Sequence, residues 1–209
     1  MKPYYQDQSV TIYHGDCRQI VPQLGNFDLL LTDPPYGMRF QSNRRQVKHK
    51  EIIGDEQMDV ELIKSLIKKA KCAAYVFCRW DNLQFMPKPK SVIAWVKNNH
   101  STGDLKHEHA RQWEACCFYP MQNHKFNRRP SDVVYAKRTD NAWHPTQKPV
   151  DVMIQLIDAN QCQIILDPFA GSGTTGRAAK DLGKQAVLVE MDEQYCEIAA
   201  QRMAQEVLL

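Results

Sequence analysis

Residues 164–176 read IILDPFAGSGTTG, and this stretch decides the fold. A short apolar run typical of a buried strand leads into a glycine-rich loop, and a helical pattern follows. This order forms the first half of a βαβ unit that binds a nucleotide-like ligand. Glu190 ends the next apolar run about 20 residues downstream, where an acid can hold ribose hydroxyls. The stretch predicts an α/β fold with an adenosine-type site.

The glycine loop leaves the identity of its ligand open. Residues 171–176 match GxGxxG, so a nicotinamide-dependent enzyme is a competing interpretation, and a tight turn without any ligand is a third. A P-loop is excluded because Arg177 and Ala178 stand where Lys and Ser or Thr are required. Dinucleotide fingerprints commonly open the first βαβ unit of a domain, whereas this loop begins at residue 171 of 209. The loop therefore indicates a binding place more than a particular cofactor.

Strand and helix patterns alternate along most of the chain, which favours a largely parallel sheet with helices on both faces. Helical spacing of apolar residues runs from Val60 to Lys71, onward from Pro149, and from Glu193 to about Val207. Without an internal repeat or a linker, residues 1–209 are predicted to form a single domain. The predicted strands are Val10–Tyr13, Phe27–Leu31, Ala73–Cys78, Val92–Val96, Ala115–Tyr119, Asp132–Ala136, Ile164–Leu166 and Ala186–Val189.

Composition excludes several other classes of protein. No apolar run approaches the roughly 18 residues of a membrane span, and the N-terminus lacks a signal-peptide core, so we expect a cytoplasmic protein without membrane contact. The seven cysteines form no C-x-x-C pair, which favours reduced thiols packed as small hydrophobic groups over a metal site. The sequence therefore predicts no metal ion.

A second motif, Asp33-Pro34-Pro35-Tyr36, directly follows a predicted strand. Ligands in open α/β sheets bind at such carboxyl ends. The two prolines fix φ and offer no N–H, so this turn presents hydrogen-bond acceptors rigidly. Asp33 and the Pro34 carbonyl can each accept a hydrogen bond from an aromatic amine, which frees the delocalised lone pair of its nitrogen, and Tyr36 can stack on a flipped base. The alternative is a Pro-Pro turn with an incidental acid.

Together these motifs resemble the β-class of S-adenosylmethionine-dependent DNA amino-methyltransferases, the permuted group in which D-P-P-Y precedes the glycine loop. The segments HGDC at 14–17, HPTQKP at 144–149 and WVKN at 95–98, with residues 111–114, resemble further segments of that family. The resemblance spans roughly residues 9 to 200. It implies a Rossmann-like methyltransferase fold, with a mostly parallel, doubly wound sheet, an antiparallel hairpin and circularly permuted motif order.

The resemblance also implies a reaction, in which the methyl group of S-adenosylmethionine passes to N6 of a flipped adenine in DNA. Asp33 is expected to be ionised, since its ordinary pKa is about 3.9. N4 of cytosine is an alternative target, although that group more often has Ser in place of Asp33; an RNA amino-methyltransferase and a catalytically silent partner subunit are others. The implied catalytic residues are Asp33, Pro34, Pro35 and Tyr36. The implied cofactor-binding residues are Asp16, Cys17, Asp33, His144, Thr146, Lys148, Asp167, Pro168, Phe169, Ala170, Gly171, Ser172, Gly173, Thr174, Thr175, Glu190 and Met191.

Basic residues cluster in two irregular segments, 39–57 and 122–143, within a chain of net charge only +3. Long irregular stretches in a compact domain are usually functional loops, so both are predicted to contact DNA. Their small size argues against stringent recognition by one subunit; a short site, low specificity or a homodimer would each fit. The residues predicted to contact phosphates are Arg39, Arg44, Arg45, Lys48, Lys125, Arg128 and Arg129.

Overall fold

The apolar runs of the sequence form one nine-stranded sheet in the computed structural model, which describes residues 1–37, 58–100, 106–138 and 147–205. Five α-helices accompany the sheet in this part of the chain. In chain order the strands are β1 (Tyr5–Gln6), β2 (Val10–His14), β3 (Leu29–Thr32), β4 (Ala73–Cys78), β5 (Ser91–Val96), β6 (Trp113–Pro120), β7 (Val133–Tyr135), β8 (Ile164–Asp167) and β9 (Gln185–Glu190). The helices are α1 (Cys17–Ile20), α2 (Val60–Lys69), α3 (Val150–Asp158), α4 (Thr174–Asp181) and α5 (Glu193–Ala204).

The strands lie in the order β1-β2-β9-β8-β3-β4-β6-β5-β7. Strands β2, β9, β8, β3 and β4 are mutually parallel, while β6 runs antiparallel to both β4 and β5. The predicted mostly parallel sheet with an antiparallel hairpin is confirmed. Strand β3 pairs with β8 through Leu29 and Ile165, although the two strands lie far apart in the sequence. Because parallel strands end at the same edge of a sheet, this pairing brings the D-P-P-Y turn beside the glycine loop.

The central strands are buried on both faces, as in a doubly wound sheet. Leu29 and Leu31 of β3 pack with residues of α3, α4 and α5 on one face. Leu30 points to the other face and packs with residues of α1 and α2. This burial explains continuous apolar runs such as 29–31, because a strand covered on both faces needs apolar side chains on both sides.

Helix boundaries agree with the sequence to within a few residues, and the differences have local causes. Asp59 caps α2 by accepting a hydrogen bond from the Leu62 backbone N–H at 2.9 Å. Pro149 is the N-cap of α3 and not its first helical residue. The four-residue helix α1 was not predicted, although Asp16 caps it through the Arg18 backbone N–H at 2.8 Å. None of the helices in the described ranges is long and apolar enough to cross a membrane.

Candidate active site

Asp167 joins the two motifs at the centre of the sheet edge. Its carboxylate accepts hydrogen bonds from the hydroxyl of Thr32 at 2.8 Å and the hydroxyl of Thr175 at 2.6 Å. Thr32 ends β3 directly before Asp33, and Thr175 lies in the first turn of α4. Asp167 is buried, and burial raises its pKa to about 6. This acid therefore ties the ends of β3 and β8 and the start of α4 to one another.

Two glycines allow α4 to pack closely against its neighbours. Gly173 has φ +79°, and a Cβ added there would lie 2.9 Å from Cβ of Ala199 in α5. A Cβ at Gly176 would lie 2.6 Å from Cδ1 of Leu188 in β9. A side chain at Gly173 would push α4 away from α5, and one at Gly176 would displace the Leu188 side chain of β9, so both glycines allow the close packing of α4.

The acids predicted to bind the cofactor lie on neighbouring strands at the same edge. Glu190 ends β9 and accepts hydrogen bonds from the backbone N–H groups of Gly171 at 2.7 Å and Asp192 at 2.9 Å. His14 of β2 pairs in register with Glu190, and Asp16 follows two residues later at the start of α1. Burial raises the pKa of Glu190. Burial would also raise the pKa of Asp16, but hydrogen bonds from Arg18 outweigh it and lower that pKa.

Sequence reasoning missed Arg202, which holds the glycine loop from behind. Its guanidinium, buried in α5, donates to the Ser172 carbonyl at 2.5 Å and the Ser172 hydroxyl at 3.0 Å. Burial, together with the nearby Arg177, lowers the pKa of Arg202 to about 10. The signal that could have found it is weak, since a charged residue near the end of a helix is ordinarily solvent-exposed.

Around Asp33 the structure assembles a line of charged side chains. The Asp33 carboxylate accepts one hydrogen bond from the Lys148 ammonium and one from the Tyr36 hydroxyl. The same ammonium lies 3.2 Å from Glu114 Oε2, and Glu114 Oε1 pairs with the ammonium of Lys97. Lys148 is only 4% exposed. Cations and anions thus alternate from Lys97 to Asp33.

Burial shapes the electrostatics of this line. It raises the pKa of Asp33, against the effect of Lys148 and with a further contribution from Glu114, so the unperturbed value expected from the sequence does not apply. Burial would lower the pKa of Lys148, but its two carboxylate neighbours raise it. Burial likewise opposes ionisation of Glu114, yet Lys148 and Lys97 lower its pKa to about 2. Lys148 and Glu114 are therefore both charged at neutral pH.

Tyr36 is held through its side-chain hydroxyl and through its backbone carbonyl. Its hydroxyl donates to Asp33, and its carbonyl accepts a hydrogen bond from the Asn82 side chain at 3.1 Å. The Lys148 ammonium lies 5.7 Å from the centre of the Tyr36 ring. The D-P-P-Y turn is thus anchored to the loop after β4 as well as to β3.

Several other predicted residues lie away from this edge or outside the described part of the chain. Asn127 of the second basic segment donates its backbone N–H to the Ala159 carbonyl at 2.8 Å, just before β8 begins. That position is the edge where the parallel strands start, opposite Asp33, and the neighbouring bases Lys125, Arg128 and Arg129 are exposed there. Their contact with DNA stays a prediction. Arg39, Arg44, Arg45, Lys48, His144 and Thr146 lie outside the described residues.

The polar groups at this edge suit a charged adenosine ligand. Two carboxylates, Asp16 and Glu190, can accept from ribose or adenine groups, and the start of α4 offers a helix N-terminus to a carboxylate. The loop residues from Pro168 to Thr174 follow β8, which lies between β9 and β3, so they lie between Glu190 and Asp33 along the strand ends. Cys17 follows Asp16 just after the end of β2 and is buried. Within the described ranges, no group of three or more metal-ligating side chains could hold an ion. The edge thus places hydrogen-bond acceptors for an adenosine ligand on the strands beside Asp33.

Comparison with known proteins agrees with this geometry. A family model described as DNA methylase matches residues 27–201. The type II methyltransferase M2.LlaDCHI of Lactococcus lactis subsp. cremoris is 26% identical, over 97% of this chain and 92% of its own. The crystal structure of the M1.HpyAVI-SAM complex has a TM-score of 0.71 at 25% identity, covering 92% of this chain and 99% of that one. The cytosine-N4-specific PvuII DNA methyltransferase shares the fold, with a TM-score of 0.74 at 15% identity over 100% and 91% of the two chains.

The family model covers most of the chain and includes both the D-P-P-Y turn and the glycine loop. It confirms the family that these motifs indicate, whose members take the methyl group from S-adenosylmethionine. The chain belongs to the DNA methylase family, the S-adenosylmethionine-dependent DNA methyltransferases.

Proposed function

We propose that this protein methylates N6 of adenine in DNA, after the base has flipped out of the duplex. The observation that carries the proposal is the adjacency of Asp33 and the glycine loop, which the Thr32–Asp167–Thr175 hydrogen bonds hold at one sheet edge. An acceptor for an amine and a cradle for a methyl donor are thus side by side, as direct transfer requires.

The proposed cofactor is S-adenosylmethionine, held by the glycine loop, Glu190 and Asp16. Gly171 and Gly173, both with positive φ, keep the backbone of the loop free of side chains. Glu190 retains free lone pairs beside its two backbone hydrogen bonds and can accept from ribose hydroxyls. The bound cofactor supplies a methyl group made electrophilic by its positively charged sulfur. His144 and Thr146 complete the proposed site from outside the described residues.

Asp33 is the proposed acceptor for the target amine. The carboxylate already accepts hydrogen bonds from the Tyr36 hydroxyl and the Lys148 ammonium, and the target amine takes the place of the ammonium. The Pro34 carbonyl is the second acceptor, and the Tyr36 ring is the surface on which the base stacks. These groups raise the reactivity of the amine through position and charge and form no covalent bond to it.

Adenine is preferred over cytosine because of the residue in the first position of the motif. The strength of the hydrogen bond does not distinguish the bases, since a carboxylate such as Asp33 accepts a charge-assisted hydrogen bond from either amine; the preference rests on the resemblance to related enzymes. Methyltransferases of the N4-cytosine group more often carry Ser there, although the geometry at the amine is the same. N4 of cytosine is therefore the second candidate, favoured by the shared fold of the PvuII enzyme.

We propose that residues 1–209 form a single domain that acts on DNA in the cytoplasm. The segments 39–57 and 122–143 remain the proposed DNA-recognition loops, and a homodimer would enlarge their combined surface. Light scattering with and without duplex DNA measures the number of subunits.

The function is tested by identifying the methylated base. Purified protein is incubated with isotopically labelled S-adenosylmethionine and with DNA and RNA from a methylation-free host, and each nucleic acid is digested separately to nucleosides for mass spectrometry. Labelled N6-methyladenine supports the proposal. Labelled N4-methylcytosine selects the second candidate, and label in RNA alone contradicts both.

A further inference from the structure

The charged line from Lys97 to Asp33 contains a feature that holding a cofactor does not require. The Lys148 ammonium lies between two carboxylates, touching Asp33 Oδ2 on one side and Glu114 Oε2 at 3.2 Å on the other. It is buried, and it also lies 5.1 Å from the centre of the Phe77 ring. A buried ammonium needs a partner at all times, because an unpaired charge in the interior is strongly unfavourable.

The ammonium occupies Asp33 Oδ2, the oxygen on which the proposed function places the target amine. Glu114 lies in β6, and Lys148 directly precedes Pro149, the N-cap of α3. The two residues are distant in sequence, and the fold brings their side chains together. Glu114 is itself held by Lys97, which fixes the carboxylate beside the ammonium. If the ammonium leaves Asp33 Oδ2, Glu114 keeps it paired.

We propose that Lys148 and Glu114 are positioning residues for Asp33: Lys148 keeps the Asp33 carboxylate ionised before the base arrives, and Glu114 retains Lys148 when the target amine takes its place. This inference rests on the proposed role of Asp33 in amine activation. It assigns Lys148 to the amine side of the cleft, in contrast with the contact to the cofactor that the family resemblance implies.

The groups that face Asp33 determine how it titrates. Lys148 favours the ionised carboxylate, and Glu114 disfavours it. Tyr36 donates its hydroxyl and has a pKa well above its usual range because of burial, so it stays neutral. Within the described residues, Asp167, Cys78 and Cys116 also interact with Asp33 electrostatically.

Removal of the two residues should move the titration of Asp33 in opposite directions. Lys148→Met deletes an opposite charge, which should raise the pKa of Asp33 by about 1–3 units. Glu114→Gln deletes a like charge and leaves the ammonium on Asp33 alone, which should lower the pKa of Asp33. Lys148→Arg keeps the positive charge and should leave the titration near that of the natural protein.

The test is a carboxyl ¹³C NMR titration of the cofactor-free protein, with Asp33→Asn to assign the signal and urea unfolding of every variant to confirm that it folds. Opposite shifts in Lys148→Met and Glu114→Gln support the inference; shifts in the same direction, or none, overturn it. If Lys148→Met does not fold, the downward shift in Glu114→Gln and the near-natural titration of Lys148→Arg must both be found, and failure of either overturns it.

Methylation kinetics separate this inference from the proposed function. The acidic limb of the kcat profile should move up in pH for Lys148→Met, so that activity recovers in alkaline buffer. Glu114→Gln should lose kcat at every pH, because its ammonium stays on Asp33. If the two variants show opposite NMR shifts but Asp33→Asn still methylates DNA, the charge network is supported and the proposed function is refuted. If Asp33→Asn is inactive but the acidic limb of Lys148→Met does not move, the inference is refuted and the proposed function is not.

Discussion

Replacement of Gly173 by Ala should destabilise the protein through two separate effects. A left-handed φ of +79° costs a residue with a Cβ about 1–2 kcal/mol. The new Cβ would also lie 2.9 Å from Ala199 Cβ and 3.3 Å from Ala199 Cα, and the latter is backbone that cannot turn aside. Crowding of this kind in a packed core typically costs about 1–3 kcal/mol. The free energy of unfolding should therefore fall by about 2–5 kcal/mol.

Gly183→Ala is the matched control for this change. Gly183 also has a positive φ, +64°, but a Cβ there would meet nothing within 4 Å. Its cost should be limited to the backbone effect, about 1–2 kcal/mol. Urea unfolding followed by tryptophan fluorescence gives both values, and calorimetry on the folded fraction should show weaker S-adenosylmethionine binding for Gly173→Ala only. Equal costs for the two variants would refute the close approach of α4 to α5 as the reason for the glycine.

Three further predictions concern the edges of the sheet. Burial raises the pKa of Asp167 from 3.8 to about 6, so the stability it contributes is full below pH 3.8 and is lost as the pH rises through 6; urea titrations of Asp167→Asn should lack this decline. Arg202→Met removes charge-assisted hydrogen bonds to Ser172 and should lower the unfolding free energy by about 1.5–3 kcal/mol and weaken cofactor binding, whereas a variant as stable as the natural protein would leave the loop held by other contacts. If Lys125, Arg128 and Arg129 contact phosphates, each alanine should reduce the slope of log affinity against log salt by about 0.9 on duplex DNA; an unchanged slope would move the DNA surface to another part of the molecule.

The sequence predicted those parts of the fold that depend on local pattern. Apolar runs such as Ala73–Cys78 became strands with the predicted bounds, because a strand buried on both faces needs an unbroken apolar stretch. The two-residue strand β1 carries no such signal and was missed. The pairing of β3 with β8, which brings Asp33 beside the glycine loop, agrees with the permuted motif order that the family resemblance implies.

What the sequence could not predict are contacts between side chains from distant elements. Neither the spacing nor the type of Glu114 and Lys148 indicates that one ammonium lies between two carboxylates. Arg202 is a similar case, since only the packing of α5 behind the glycine loop makes it a buried donor. The basic residue Lys125 shows the converse, because a charge cluster in sequence does not indicate which edge of the sheet it will reach.

Asp33 is proposed to activate the target amine without holding the cofactor in place. The most direct test is to measure single-turnover methylation and S-adenosylmethionine affinity for the natural protein and for Asp33→Ala side by side. Methyl transfer should fall to background in the variant, while the dissociation constant of the cofactor should stay close to the natural value. Methyl transfer that survives the substitution would contradict this role of Asp33.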